Sequence, residues 1–184
     1  MRYILILLSV FYFIHMKSII EEHTITKSYD PGQLDIIKLG PPNYQLYEYM
    51  KVYSGEYNIP FNFVLRCALE ETGYSGKLDF RYRPFEDRLR VSYANAFGPL
   101  QVQLPTANEM WEDREITIDE LSYNIKVNVI SSFRYKKYLY DMFKDWLKVY
   151  SVYNMGWKGK SNINQYAKNI VRGTKNASDG NEIL

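Results

Sequence analysis

From residue 44 to residue 171 the apolar residues of this 184-residue chain recur at helical spacing, and no pair of segments alternates as neighbouring strands must. Residues 44–57 carry Leu46, Tyr49, Met50 and Tyr53 on one stripe. Pro60 fits the first position of a second helix, where its missing N–H costs nothing. That helix runs to about Thr72 and stops at Gly73, a natural C-terminal cap. Residues 74–95 are rich in Arg, Asp and Tyr and read as a long irregular connection, a length that usually carries function. Pro105 opens a short helix to about Asp113. Thr117-Ile118-Asp119-Glu120 has the pattern of a capping box and starts a long helical region ending at Phe143. Two further helices are expected at about 146–155 and 162–171. The expected fold is mainly α, one domain over 44–172.

The ends read differently. Arg2 precedes an apolar run of twelve residues, 3–14, the length of a signal-peptide hydrophobic region and short for a bilayer span. Residues 1–18 are therefore expected to be a signal peptide. Because no Ala-x-Ala cleavage site follows, an uncleaved N-terminal membrane anchor is the alternative. Either way the remainder is expected to work outside the cytoplasm, in a periplasm or cell envelope or as a secreted protein. Residues 19–43 hold Asp30-Pro31-Gly32 and Gly40-Pro41-Pro42 and read as a linker or arm. Residues 173–184 read as a frayed polar tail.

Charge and composition exclude several functions. The formal net charge is +2, and loss of residues 1–18 would remove Arg2 and Lys17 and leave none. That is no footprint for nucleic acid. The one cysteine, Cys67, permits no intramolecular disulfide, and on a buried helix it reads as a small core residue rather than a nucleophile. His15 and His23 both precede the domain. No His/Cys/Asp cluster has metal-ligand spacing, so neither a metal nor a cofactor is expected.

Two adjacent carboxylates, Glu70 and Glu71, end the second helix, and helical phase separates them. With about 100° per residue, the apolar positions Phe61, Val64, Leu65, Ala68 and Leu69 define a core direction. Glu71 lies roughly 90° from it and Glu70 roughly 170°. Glu70 should therefore face solvent. Glu71 should sit at the border, where partial burial raises a carboxyl pKa and suits it to general acid work. Taken alone, a Glu at a helix end is an ordinary solvated charge.

Three ordered blocks argue otherwise. Glu71-Thr72-Gly73-Tyr74 is followed by Gly98-Pro99-Leu100-Gln101-Val102 with Pro105-Thr106-Ala107, and then by Val152-Tyr153-Asn154-Met155-Gly156. The trio resembles the catalytic domain of soluble lytic transglycosylases and goose-type lysozymes, over roughly 57–172. In this chain Pro99 stands where that family usually has Leu. Upstream of the third block, Asn128 to Tyr135 partly fits a further family segment, with Ser132 in place of a glycine. The resemblance implies a lysozyme-like helical domain with a small β-hairpin or irregular lobe around 76–96. It also implies cleavage of the MurNAc–GlcNAc β-1,4 linkage of peptidoglycan with formation of a 1,6-anhydroMurNAc end. Glu71 would be catalytic as acid and then base, and Tyr153 would reach it through its hydroxyl. Thr72, Gly98, Gln101 and Asn154 would bind substrate, and Tyr74 and Trp157 are candidates for stacking on sugar faces. Trp111 and Trp146 read as packing.

No second acid falls in a matching motif, and Asp79, Glu86 and Asp87 are the nearby candidates. A goose-lysozyme-like hydrolase is the near alternative, and a non-catalytic glycan-binding or scaffolding domain of an envelope or phage particle the distant one. The expected partner is the glycan strand of peptidoglycan, acted on by a monomer. Membrane contact would come only through an uncleaved N-terminal segment.

Overall fold

The computed structural model describes residues 31–83, 92 and 94–173, and the readings placed on residues 1–30, on Glu86 and Asp87 and on the tail beyond Gly173 lie outside them. The chain is mainly helical. Helices α1 (Pro31–Ile37), α2 (Pro42–Glu56) and α3 (Phe61–Thr72) come first. A two-stranded antiparallel sheet, β1 (Ala96–Phe97) and β2 (Val102–Gln103), leads directly into α4 (Leu104–Met110). Then follow α5 (Ile118–Tyr123), α6 (Ile125–Phe143), α7 (Trp146–Met155), a 3-10 turn (Gly156–Lys160) and α8 (Gln165–Arg172). Among the described residues no helix is long and apolar enough to cross a membrane.

The core lies where α6 meets its neighbours. Phe133 of α6 is fully buried with Leu46 and Met50 of α2 and Val64 and Ala68 of α3. A second cluster joins Cys67 of α3, Tyr150 of α7 and Ala167 and Ile170 of α8. The Arg66 guanidinium donates to the Ile170 carbonyl at 3.0 Å and ties α8 to α3 at the domain surface.

Several boundaries differ from the sequence expectation, each for a local reason. Residues 31–43 are not all arm: they hold α1, the buried Ile37 and the buried Asn43, whose side chain donates to the Lys77 carbonyl at 2.5 Å. Pro60 caps α3 with non-helical backbone (φ −55°, ψ 122°) rather than occupying its first turn. The long region to Phe143 is two helices. Its capping box forms as expected, Thr117 Oγ1 accepting from Glu120 N and Glu120 Oε2 accepting from Thr117 N at 3.0 Å. Asn124 then adopts φ −102°, ψ 99°, ends α5, and accepts from Val127 N to start α6. A short polar side chain that bonds its own backbone competes with helix continuation at such a point.

The β-hairpin sits at 96–103, at the far end of the expected 76–96 segment, with Ala96 opposite Gln103 and Phe97 opposite Val102. Its connecting turn needs positive φ at Gly98 (69°) and Gln101 (50°). Gly98 is fixed by space as well as by φ. A Cβ there would stand 2.5 Å from Asn128 Nδ2 and 2.6 Å from the Leu121 carbonyl oxygen. Asn128 is the clamp: its amide donates to Phe97 O (2.8 Å) and Leu121 O (3.1 Å), and its Oδ1 accepts from Leu100 N at 2.9 Å. Gly98→Ala combines a strained φ with a clash against backbone and should cost about 3 kcal/mol, within the range of such core changes. Denaturant unfolding measures it, and a loss below about 1 kcal/mol would show that the turn yields to an added methyl.

Candidate active site

Glu71 is carried to its place by the buried stripe of α3. Val64, Cys67 and Ala68 are the buried residues of that helix, whereas Leu69 is 49% exposed. The core direction is thus rotated toward Cys67, and Glu71 lies about 15° from it at 100° per residue. Glu71 lies on the inward side of the helix and is only partly buried there, as a border position would be. Gly73 ends the helix just beyond, at φ 72°, with its N–H on the carbonyls of Ala68 and Leu69. Glu70 points outward and is exposed, its carboxylate accepting from Asn169 Nδ2 at 3.1 Å.

The Glu71 carboxyl opens into a groove of about 590 Å³. Gln101 and Thr106 line it from the hairpin and α4, Tyr135 from α6, and Tyr153 and Asn154 from α7. Glu71 is the only carboxylate among the described residues that line it. On the protein side Glu71 Oε1 accepts a hydrogen bond of 2.5 Å from the Tyr166 hydroxyl. Burial raises the Glu71 pKa above the ordinary carboxylate range. The Tyr166 hydrogen bond and the positive charge of Lys136 oppose that rise, and the Glu70 charge adds to it. A carboxyl of this kind keeps its proton to higher pH than a solvated one, and the carboxylate it leaves meets a donor already in place.

The residues expected from sequence fall into two groups. Gln101 and Asn154 line the groove with Glu71. Gln101 Nε2 donates to Gly98 O at 2.8 Å, and Asn154 Oδ1 accepts from Asn164 Nδ2 at 2.8 Å. Both amides are held by the protein on one side and border the groove on the other. Tyr153 also lines the groove, but its hydroxyl does not bond Glu71. It donates to Leu100 O at 2.6 Å and meets Ser132 Oγ at 3.0 Å. The link to the carboxyl comes from Tyr166 instead.

The second group is structural. The Thr72 hydroxyl faces Ala68 O, Pro99 O (3.0 Å) and the Tyr82 hydroxyl (3.1 Å), so it braces α3 against the hairpin turn and is not part of the groove wall. Gly98 is buried under Asn128 and serves close packing rather than ligand approach. Tyr74 is fully buried, its hydroxyl donating to Asn43 O at 2.7 Å and its ring edge-on to Tyr82, so no sugar can stack on it. Trp157 is 58% exposed, just beyond the groove's Gly156 and edge-on to Phe143, but outside the lining. Asp79 accepts from Ser75 N and Ser75 Oγ and closes its own turn. Trp111 and Trp146 do pack: the Trp111 indole donates to Ser131 Oγ, and Trp146 stacks on Tyr140 at 4.2 Å.

Tyr166 and Lys136 belong to the site and to none of the three blocks. The available signal was positional. Tyr166, Ala167 and Ile170 share one face of the last helix, and Val129, Ser132, Phe133, Lys136 and Leu139 share one face of α6. A hydroxyl or an ammonium on such a stripe must find a polar partner inside.

Replacing Tyr166 by Phe removes the donor to Glu71 while keeping the ring packed. If Glu71 works as a general acid, the expected rate loss is about tenfold or more, within the range for an acid–base helper, with a higher Glu71 pKa. Tyr153→Phe removes a bond to the Leu100 turn, and its effect should be the smaller of the two. Turnover of the two variants on one polymeric substrate checks the order, and a Tyr153 effect exceeding that of Tyr166 would reverse the assignment.

No family model, curated protein or solved structure matches this chain.

Proposed function

We propose that the protein is a lytic transglycosylase with a lysozyme-like helical domain, acting on peptidoglycan strands outside the cytoplasm. The observation that carries this reading is the half-buried Glu71, held by Tyr166 at the wall of an open groove and shifted toward its protonated form. A groove bordered by amides and tyrosines suits a neutral sugar polymer, which is gripped through hydroxyl and N-acetyl hydrogen bonds and ring stacking. The ordered blocks around Glu71, Gln101 and Tyr153 lie on three separate elements that share the groove.

The chemistry follows from one carboxyl. Glu71, protonated, gives its proton to the oxygen joining MurNAc to GlcNAc as that bond breaks. Positive charge then develops on the ring as an oxocarbenium-like centre. The Glu71 carboxylate next takes the proton from the muramoyl C6 hydroxyl, whose oxygen closes on C1. One bond has been exchanged for another, no water is consumed, and Glu71 ends protonated as it began. Tyr166 holds the carboxyl in one orientation through both transfers.

The test is incubation of the purified domain with sacculi and mass analysis of the released muropeptides, with Glu71→Gln alongside. Release by the parent and none by the variant supports the reading. Binding to sacculi without release by either would leave a glycan-binding domain.

A further inference from the structure

Lys136 is the one lysine buried completely among the described residues, and it forms no salt bridge there. An ammonium taken out of water without a counter-charge is costly unless its surroundings compensate, and burial accordingly lowers the Lys136 pKa while Cys67 and Glu71 oppose that fall. Lys136 Nζ donates to Ser132 Oγ, stands 3.7 Å from the centre of the Tyr153 ring, and interacts with the Cys67 sulfur. Cys67 Sγ in turn meets the Tyr166 hydroxyl at 3.3 Å, and Tyr166 donates to Glu71.

The directions of these bonds follow from proton counting. A tyrosine hydroxyl has one proton to give. That of Tyr166 goes to Glu71, so its oxygen accepts from the Cys67 thiol. The Tyr153 proton goes to Leu100 O, so its oxygen accepts from Ser132, whose own oxygen accepts from Lys136. Two chains of donors therefore run outward from one buried cation. One ends on the Glu71 carboxyl and the other on the hairpin turn facing it. Polar groups linked head to tail in a low-dielectric interior polarise one another.

We propose that Lys136 is a positioning residue for Glu71, acting through Cys67 and Tyr166 to steady the carboxylate left when Glu71 has given up its proton. The significance of that coupling for turnover rests on the transglycosylase reading, since a carboxyl that must donate and then accept has to visit its charged form. Burial raises the Glu71 pKa and favours the protonated form, and the cation opposes that rise and keeps the charged form within reach. The groups facing the pair are Cys67 and Glu70 on α3, Tyr150 and Tyr153 on α7, and Tyr166 on α8. Glu70 is the only other carboxylate in that group, and it is exposed.

The experiment is a titration of glutamate side-chain carbonyls by carbon-13 NMR, with no glycan present and with Glu71→Gln used to assign the signal. In Lys136→Met, which keeps length and removes the cation, the Glu71 midpoint should rise by about one unit or more. Cys67→Ala interrupts the same chain with little change in volume and should also raise it, which keeps the test decisive if Lys136→Met does not fold. Ser132→Ala cuts only the other chain and should leave the midpoint in place. An unmoved midpoint in a folded Lys136→Met, or in Cys67→Ala where that variant alone folds, overturns the proposal. So does a rise in Ser132→Ala equal to that in Lys136→Met, which would mean general loosening. Failure of the parent to cleave sacculi would sink the reaction instead and leave the midpoint shifts as they are.

Discussion

Glu71→Gln is expected to lower release of glycan fragments by about a thousandfold, within the range that a positioned acid–base group supplies, while Glu70→Gln stays near the parent rate. The two carboxylates are neighbours in sequence, so charge and composition change equally in the two variants. What differs is that Glu71 lies on the buried stripe with Val64, Cys67 and Ala68 and meets both Tyr166 and the groove, whereas Glu70 lies in solvent beside Asn169. Gln keeps an oxygen that can accept from Tyr166 but has no proton to give at the pH of the reaction. The fold should not suffer. A carboxyl whose folded-state pKa is raised contributes its full stability below the unfolded value, and that contribution is lost as pH rises through the folded value. Above its folded-state value the charged Glu71 is therefore a burden to the folded state, and Gln removes it. The variant's thermal midpoint should equal or exceed the parent's. In the parent the rate should fall on the alkaline side as Glu71 loses its proton, at a pH above the ordinary glutamate value of about 4.3. An active Glu71→Gln protein of intact fold would end the assignment.

How far the site could be read from the sequence depended on whether a residue's role is local. Helix α3, its end at Gly73 and the choice of Glu71 over Glu70 follow from periodicity, because helical phase is a local property. The Thr117–Glu120 capping box is local too, and it forms as read. Tyr74 shows the limit: an aromatic shortly after the helix that carries Glu71 looks like a stacking platform until its hydroxyl is found on Asn43 O, 31 residues away. Gly98 and Thr72 gave the same misreading, since a glycine or a threonine near a groove serves packing as readily as binding. Tyr166 was missed for the converse reason. Its bond to Glu71 spans 95 residues and carries no motif, so only the packing of α8 on α3 reveals it. Lys136 was hidden in a run of charged and aromatic residues, where a lysine is ordinarily a surface charge.

The released muropeptides should end in 1,6-anhydroMurNAc, lighter by one water than the products of a hydrolase. Water activation on the far face of the sugar normally requires a second carboxylate placed several ångströms from the first. Among the described residues Glu71 is the only carboxylate lining the groove, and Asp79, a candidate from its position in the chain, is committed to Ser75. The muramoyl C6 hydroxyl needs no such partner. It is already part of the bound substrate, so its attack on C1 avoids the entropy of ordering a water, an advantage that reaches about 10⁵ M or more in effective concentration for well-oriented groups. In the proposed reaction Glu71, left as a carboxylate by the first step, would be the base for that attack, with Tyr166 still holding its Oε1. Liquid chromatography with mass detection separates the two outcomes in one run, because anhydro ends cannot be reduced by borohydride and hydrolytic ends can. Reducing ends in the majority would overturn the transglycosylase reaction in favour of a muramidase. Glu86 and Asp87 would then be the residues to substitute singly, in search of the carboxylate that positions the water.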